Sequence, residues 1–217
     1  MRPSTSASGS ETLDAADTHL SAADPVMAGL VARFSPVDGG APPPPPELYS
    51  ALVRAITGQQ LSVRAARAIY GRLVERYGGR PPTPAELLAD DPDEMRTAAG
   101  LSHAKVASLR SLAQHVLDGD LEIGRLQELD DADVARELIA VKGIGEWTAQ
   151  MFLMFTLHRP DVLATGDLGI RNAVRRAYGL DAVPDPATLT VLAEPWRPYR
   201  TRACLYLWRS LDNAPVP

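Results

Sequence analysis

The chain has 217 residues, 45% of them hydrophobic and 23% charged, and a formal net charge of −5; this is enough apolar material for one domain or two small ones. No apolar run approaches the ~20 residues that cross a bilayer, and the N-terminal residues lack the basic start and apolar core of a signal peptide, so a cytoplasmic protein is expected. Cys204 is the single cysteine, which excludes an internal disulfide and a four-thiolate iron–sulfur cluster, while His19, His103, His115 and His158 are scattered without the spacing of zinc ligands.

The negative total conceals an uneven distribution. From Ala51 to Arg80 six arginines stand against Glu75 alone, and from Val141 onward nine basic residues face seven acids. Twenty of the 22 basic residues are arginine, which suits bidentate contacts to phosphate but is equally what a GC-rich genome produces. Composition therefore permits a polyanionic partner without requiring one.

In chain order, residues 1–23 are small, polar and acidic without apolar periodicity, and read as a disordered tail. A short apolar segment, Pro25 to Phe34, follows, and the run Pro42 to Pro46 must be polyproline II or loop and marks a boundary. Beyond it every pattern is helical, with neither alternating runs nor hairpin dipeptides. Ser62 caps a helix with Ala66, Ile69, Tyr70, Leu73 and Tyr77 on its apolar side, ended by Gly78 and Gly79. Ser102 caps another, carrying Val106, Leu109, Ala113 and Val116 and stopping at Gly119. Asp130 or Asp131 opens a third through Val134 and Leu138. Gly145 to Leu157 is apolar nearly all round and predicts a buried helix. Asp167 to Tyr178 is the next, and the last runs from about Tyr199 to Leu211. The fold class is all-α.

Between the third and fourth of these helices, Lys142-Gly143-Ile144-Gly145 makes a tight turn. Two glycines let the backbone reverse sharply and let a phosphate approach without a β-carbon in the way. The N–H groups opening the next helix then form an anion site, one that grips a nucleic-acid backbone without reading sequence. A dinucleotide-binding reading of Gly143 and Gly145 fails, because no strand precedes them and the third glycine is missing.

The segment Leu138-Ile-Ala-Val-Lys-Gly-Ile-Gly-Glu-Trp-Thr-Ala149 resembles the helix-hairpin-helix DNA glycosylases, and specifically the AlkA-like 3-methyladenine DNA glycosylase II family. Asp167, within Leu163-Ala-Thr-Gly-Asp-Leu-Gly-Ile-Arg171, lies 22 residues after Gly145, the family's interval between hairpin and catalytic aspartate. Ile56-Thr-Gly-Gln-Gln-Leu-Ser62 looks like the minor-groove loop, and Trp196-Arg-Pro-Tyr-Arg200 with Leu207-Trp208 like the C-terminal signature. The resemblance spans roughly residues 49–211.

It implies a two-domain helical fold with a DNA-binding cleft between the domains: residues 24–48 and 162–217 forming a discontinuous domain that carries the catalytic aspartate, and 49–161 forming the one that carries the hairpin. It also implies a monofunctional glycosylase of base excision repair, monomeric and nucleoid-associated, acting on double-stranded DNA with alkylated bases and needing no cofactor. Lyase relatives place a Schiff-base lysine where this chain has Trp147, and an indole cannot form that adduct. Full-length AlkA types carry an additional β-rich N-terminal domain that some 50 residues with five consecutive prolines cannot supply.

By the same resemblance Asp167 is the catalytic group, and Trp208, Trp147 and Met151 line the base pocket. Gln60 or Leu61 is the intercalating wedge. Lys142, Gly143, Ile144, Gly145, Thr148, Arg64 and Arg67 bind the DNA backbone, and the carbonyls of Val141 and Ile144 are candidate ligands for a structural Na⁺ or K⁺. Local reading leaves alternatives open at each place. Asp167 also sits where a helix N-cap belongs, the tryptophans could be core, Gln59 and Gln60 could cap the preceding helix, and Arg64 and Arg67 could be a solvated face. Three functional rivals are a non-catalytic damage-binding protein of the same fold, a glycosylase for a different lesion, and a purely structural helix-hairpin-helix adaptor, which would need neither Asp167 nor the tryptophans.

Overall fold

The computed structural model describes residues 7–37 and 48–211. Among these the chain is helical and contains no strand: α1 (Ala7–Ala23), α2 (Pro25–Phe34), α3 (Leu48–Gly58), α4 (Val63–Arg76), α5 (Pro84–Ala89), α6 (Pro92–Ala99), α7 (His103–Asp118), α8 (Asp131–Ala140), α9 (Glu146–Phe155), α10 (Leu168–Ala177), α11 (Pro186–Leu192) and α12 (Arg200–Ser210). No helix among the described residues is long and apolar enough to cross a membrane.

The helix starts follow from side-chain chemistry. Ser62, Ser102, Asp130 and Asp167 each accept a hydrogen bond from the amide three residues on, satisfying one of the donors a helix leaves open at its start. α9 differs: its cap is Gly145, which offers no side chain, and the Ala149 amide bonds to the Gly145 carbonyl at 3.0 Å.

Contacts divide the chain into two compact units at 40/41 and 157/158. In the unit that begins after residue 40, Leu52, Ile56, Leu73, Leu87, Met95, Leu109, Leu112 and Leu138 are fully buried, each such side chain contributing about 1.5–3 kcal/mol relative to exposure. α7 packs against α3, α5 and α6, and α9 against α8 and α3. The end of α3, the body of α7 and the turn between α8 and α9 therefore converge.

In the other unit α12 packs on α2 and α10, burying Ala203, Cys204, Tyr206, Leu207 and Trp208. Two charged anchors hold the N-terminal helices to it. Arg202, only 6% exposed, donates to both Asp17 oxygens at 2.8 Å. Asp24 caps α2 through Val26 and Met27 and accepts from the Tyr178 hydroxyl and, at 3.0 Å, from the Trp196 indole N–H.

The expectation of a disordered tail over residues 1–23 is corrected by α1; residues 1–6 lie outside the described ones, as does the proline run. α1 carries no strong apolar stripe, but its alanines favour a helix, and burial of Ala16 and Leu20 at 4% and 0% exposure stabilises it. The boundary expected at 161/162 moves to 157/158 because residues 159–161 are bonded to α12. The Thr201 amide donates to Pro160 O, the Thr201 hydroxyl to Arg159 O, and Arg200 to the Asp161 carboxylate.

The Asp24 anchor has a pH signature. Burial opposes its ionisation, yet donation from Tyr178, Trp196 and the amides of Met27 and Val26 holds its carboxyl below the usual range. A depressed folded value means stability that is present above the unfolded carboxyl value of ~4 and is lost as pH falls through the folded one. Asp24→Asn sets an NH₂ group against the Trp196 N–H and is expected to lower stability at pH 7 by about 1–3 kcal/mol. Urea melts from pH 7 down to pH 3 should also show a shallower acid loss than the native chain's; an identical acid slope would remove Asp24 from the explanation.

Candidate active site

Asp167, the carboxylate singled out by the sequence, closes the loop before α10 and caps that helix. Its Oδ1 accepts from the Ile170 amide at 2.8 Å and from the Trp208 indole N–H at 3.1 Å. These two donors, one from the start of a helix and one from α12, fix the orientation of the half-buried carboxylate. Gly169 fits this arrangement for a steric reason. A β-carbon there would lie 2.9 Å from Asp167 Oδ1 and 3.5 Å from the Trp208 ring, so any side chain would push the carboxylate off its donors. Gly169→Ala is therefore expected to lower the catalytic rate about tenfold through loss of orientation while DNA affinity stays near the native value. A change confined to affinity would argue against this role.

Trp208, expected as a wall of the base pocket, is only 2% exposed: its ring packs in the α12 core and its N–H donates to Asp167. Cys204 beside it is fully buried, its thiol pushed up to about 12 by burial, and so is not a nucleophile. Trp147 is the exposed indole, 43% open in the first turn of α9, which removes the core reading there. Met151, one turn further along α9, is half-buried.

The hairpin is built as its glycines require. Gly143 takes φ +85°, and a β-carbon there would meet Ser108 Oγ at 2.0 Å and Ser108 Cβ at 2.8 Å; the turn thus needs glycine both for its conformation and for its seat on α7. Val141 and Ile144 plug into the core at 0% and 3% exposure, the Ile144 amide donating to Val141 O at 3.0 Å. Lys142 is exposed, and its backbone N–H is anchored on Ser111 Oγ at 3.1 Å. Glu146 and Thr148 stand in the first turn of α9, where a helix presents its backbone N–H groups to an anion. The Val141 carbonyl, a candidate cation ligand, retains one lone pair after accepting from Ile144.

Thr148, expected among the DNA-backbone contacts, turns its side chain inward. It is 7% exposed, and its hydroxyl accepts from Gln59 Nε2 at 3.2 Å, leaving the Thr148 backbone N–H as its group for an anion. Ile56, Thr57 and Gly58, expected in a loop, form the last turn of α3, and the loop itself is 59–62. Gln60 holds a left-handed φ of 59°, and both Gln60 and Leu61 are exposed, Leu61 to 39%. Arg64 and Arg67 are exposed on α4, and neither forms an ion pair with another described residue.

Ser108, Ser111, Lys105, Gly169 and the role of Gln59 were missed by sequence reading. The partners of Ser108, Ser111, Lys105 and Gln59 lie far along the chain; Gln59 and Gly169 stood inside flagged motifs without their contacts being visible.

A helical protein with an uncapped glycine hairpin in one unit, and a carboxylate held at a helix start in the other, has the parts of a nucleic-acid-processing hydrolase. Residues 53–198 match the family described as "HhH-GPD superfamily base excision DNA repair protein", and the chain belongs to that superfamily. DNA-3-methyladenine glycosylase 1 of Schizosaccharomyces pombe is 35% identical over 201 residues, 92% of this chain and 88% of that protein. The solved structure of the S. pombe 3-methyladenine DNA glycosylase Mag1 in complex with abasic DNA superposes with a TM-score of 0.81 at 34% identity, covering 91% of this chain and 96% of that one. A Bacillus halodurans DNA-3-methyladenine glycosidase structure gives 0.72 at 36% identity, over 86% and 89% of the two chains.

Proposed function

We propose that the chain is a monomeric, monofunctional DNA glycosylase that flips alkylated bases such as 3-methyladenine and 7-methylguanine out of double-stranded DNA and hydrolyses their N-glycosidic bond. The observation that carries this reading is the Asp167 carboxylate, fixed by Ile170 N and Trp208 Nε1 within a chain of the base-excision superfamily. The names of the relatives, all 3-methyladenine enzymes among those described above, support the substrate class.

On this reading the amides that open α9, with Lys142 and the exposed Arg64 and Arg67, grip phosphates, and Gln60 or Leu61 fills the space left by the flipped nucleotide. A monovalent cation on the Val141 and Ile144 carbonyls would neutralise phosphate charge. The C1′–N bond breaks with its electron pair leaving on the base, which neutralises the alkylated purine's positive charge. Positive charge develops at C1′, the Asp167 carboxylate stabilises it, and water adds to C1′ with loss of a proton. The products are a free base and an abasic site. Trp147 presents an indole face that attracts a cationic base by ~0.5–2 kcal/mol, and it carries no amine with which to form the imine that precedes strand cleavage.

The test is incubation with methylated genomic DNA, chromatography of the released bases, and gel analysis of an end-labelled lesion duplex. Release of methylated purines without strand cleavage is expected. Binding without release would make the chain a damage-binding protein, and release of other bases only would reassign its substrate.

A further inference from the structure

Gln59 lies one residue beyond α3 and is half-buried. Its side-chain nitrogen donates to the carbonyl of Gly143 at 2.8 Å, 84 residues away, and to the hydroxyl of Thr148 at 3.2 Å. The Gly143 carbonyl can only accept, which fixes the amide's orientation, and both amide hydrogens are committed to the hairpin: one to the turn, the other to the first turn of α9. The base of the same loop is held from a second side, where Lys105 Nζ on α7 donates to Thr57 O at 2.7 Å. α7 also seats the hairpin through Ser111. Loop and turn are therefore referenced to one helix and cross-linked to each other by a single side chain. The next residue, Gln60, occupies a backbone conformation that glutamine rarely adopts; the Leu61 amide, donating to Gly58 O at 3.2 Å, closes the turn across it, and the Gln59 bonds anchor that turn from the side.

We propose that Gln59 is a positioning residue for base flipping: it ties the loop presenting Gln60 and Leu61 to the turn that grips phosphate, so that the depth of the wedge is set relative to the gripped backbone. What the loop does to DNA rests on the functional reading above; the tether itself does not.

Gln59→Leu keeps the approximate length and removes both donors, and Gln59→Glu points an acceptor at the Gly143 carbonyl. Thr148→Val removes one acceptor with little change of shape. Loss of hydrogen bonds of this kind is expected to raise amide exchange at residues 60–62 about tenfold in Gln59→Leu, and to weaken binding to a duplex carrying a tetrahydrofuran abasic analogue by about the same factor. Affinity for the unmodified duplex should stay within about twofold, because the Gly143 carbonyl, on an exposed residue, can turn to water. Gln59→Glu should match or exceed this loss, and Thr148→Val should show part of it. The double variant Gln59→Leu/Thr148→Val should lose no more than Gln59→Leu alone, since both break one interaction. Should Gln59→Leu fail to fold, Thr148→Val carries the same comparison.

Equal losses on both duplexes, additive losses in the double variant, or unchanged exchange at residues 60–62 would each overturn the proposal. A native chain with no preference for the abasic duplex would overturn the functional reading instead, and exchange at residues 60–62 would still decide whether the tether exists.

Discussion

Asp167→Asn is expected to reduce base release by at least ~10²–10³-fold while fold and DNA affinity stay close to native. The substitution isolates charge from geometry. Asparagine keeps a carbonyl oxygen that can accept from both Ile170 N and Trp208 Nε1, the two bonds that Asp167 Oδ1 makes, so the α10 cap and the Trp208 contact survive. What disappears is the negative charge that, in the proposed mechanism, meets the oxocarbenium-like centre. The amide-capped helix should melt within a few tenths of a kcal/mol of the native protein, since asparagine and aspartate are nearly equivalent caps. Single-turnover excision from methylated DNA, with thermal unfolding and anisotropy titrations on the same preparations, separates the outcomes. Retained excision would remove Asp167 as the catalytic group, whereas loss of folding would return it to the status of a cap.

The second large effect is expected at the hairpin. Gly143→Ala should cost about 2–4 kcal/mol, combining a left-handed backbone penalty with a forced overlap. The overlap has two parts with different remedies. Ser108 Oγ, 2.0 Å from the new β-carbon, can rotate away, but Ser108 Cβ at 2.8 Å moves only with the backbone of α7. Ser108→Ala should thus recover a minor fraction, and the φ of +85° remains unfavourable for alanine whatever the neighbour. Displacing the turn also disturbs the Lys142 anchor on Ser111 and the α9 amides, so DNA affinity should fall tenfold or more, about 1.4 kcal/mol. Urea melts and anisotropy titrations on an unmodified duplex check both numbers. A variant as stable as the native chain would show that the turn relaxes freely and that its glycine is not required.

Most of what governs the fold was readable along the chain. Ser62, Ser102, Asp130 and Asp167 announce helix starts because a short acceptor satisfies amides three residues on, a purely local transaction. α1 was illegible for the converse reason: its stabilisation comes from Leu20 burying against a distant core and from Asp17 meeting Arg202, 185 residues later. α5, α6 and α11, of 6, 8 and 7 residues, are too short for periodicity to register.

At the site the division is similar. The Gly143/Gly145 hairpin and its spacing to Asp167 stand in the sequence, because a turn that must approach phosphate closely can be made from few residue types. Which indole is open and which is closed was decided by packing: Trp147 sits at a solvent-facing helix start, and Trp208 in the α12 core with its N–H spent on Asp167. That Gln59 reaches Gly143 and Thr148, and that Ser108 and Ser111 receive the turn, depended on α3, α7 and α9 converging. Local chemistry wrote the caps, the turn and the candidate carboxylate into the order of residues. Their orientation belongs to contacts between residues far apart in the chain, which a linear pattern does not contain, since hydrogen bonding and burial act through distance in space.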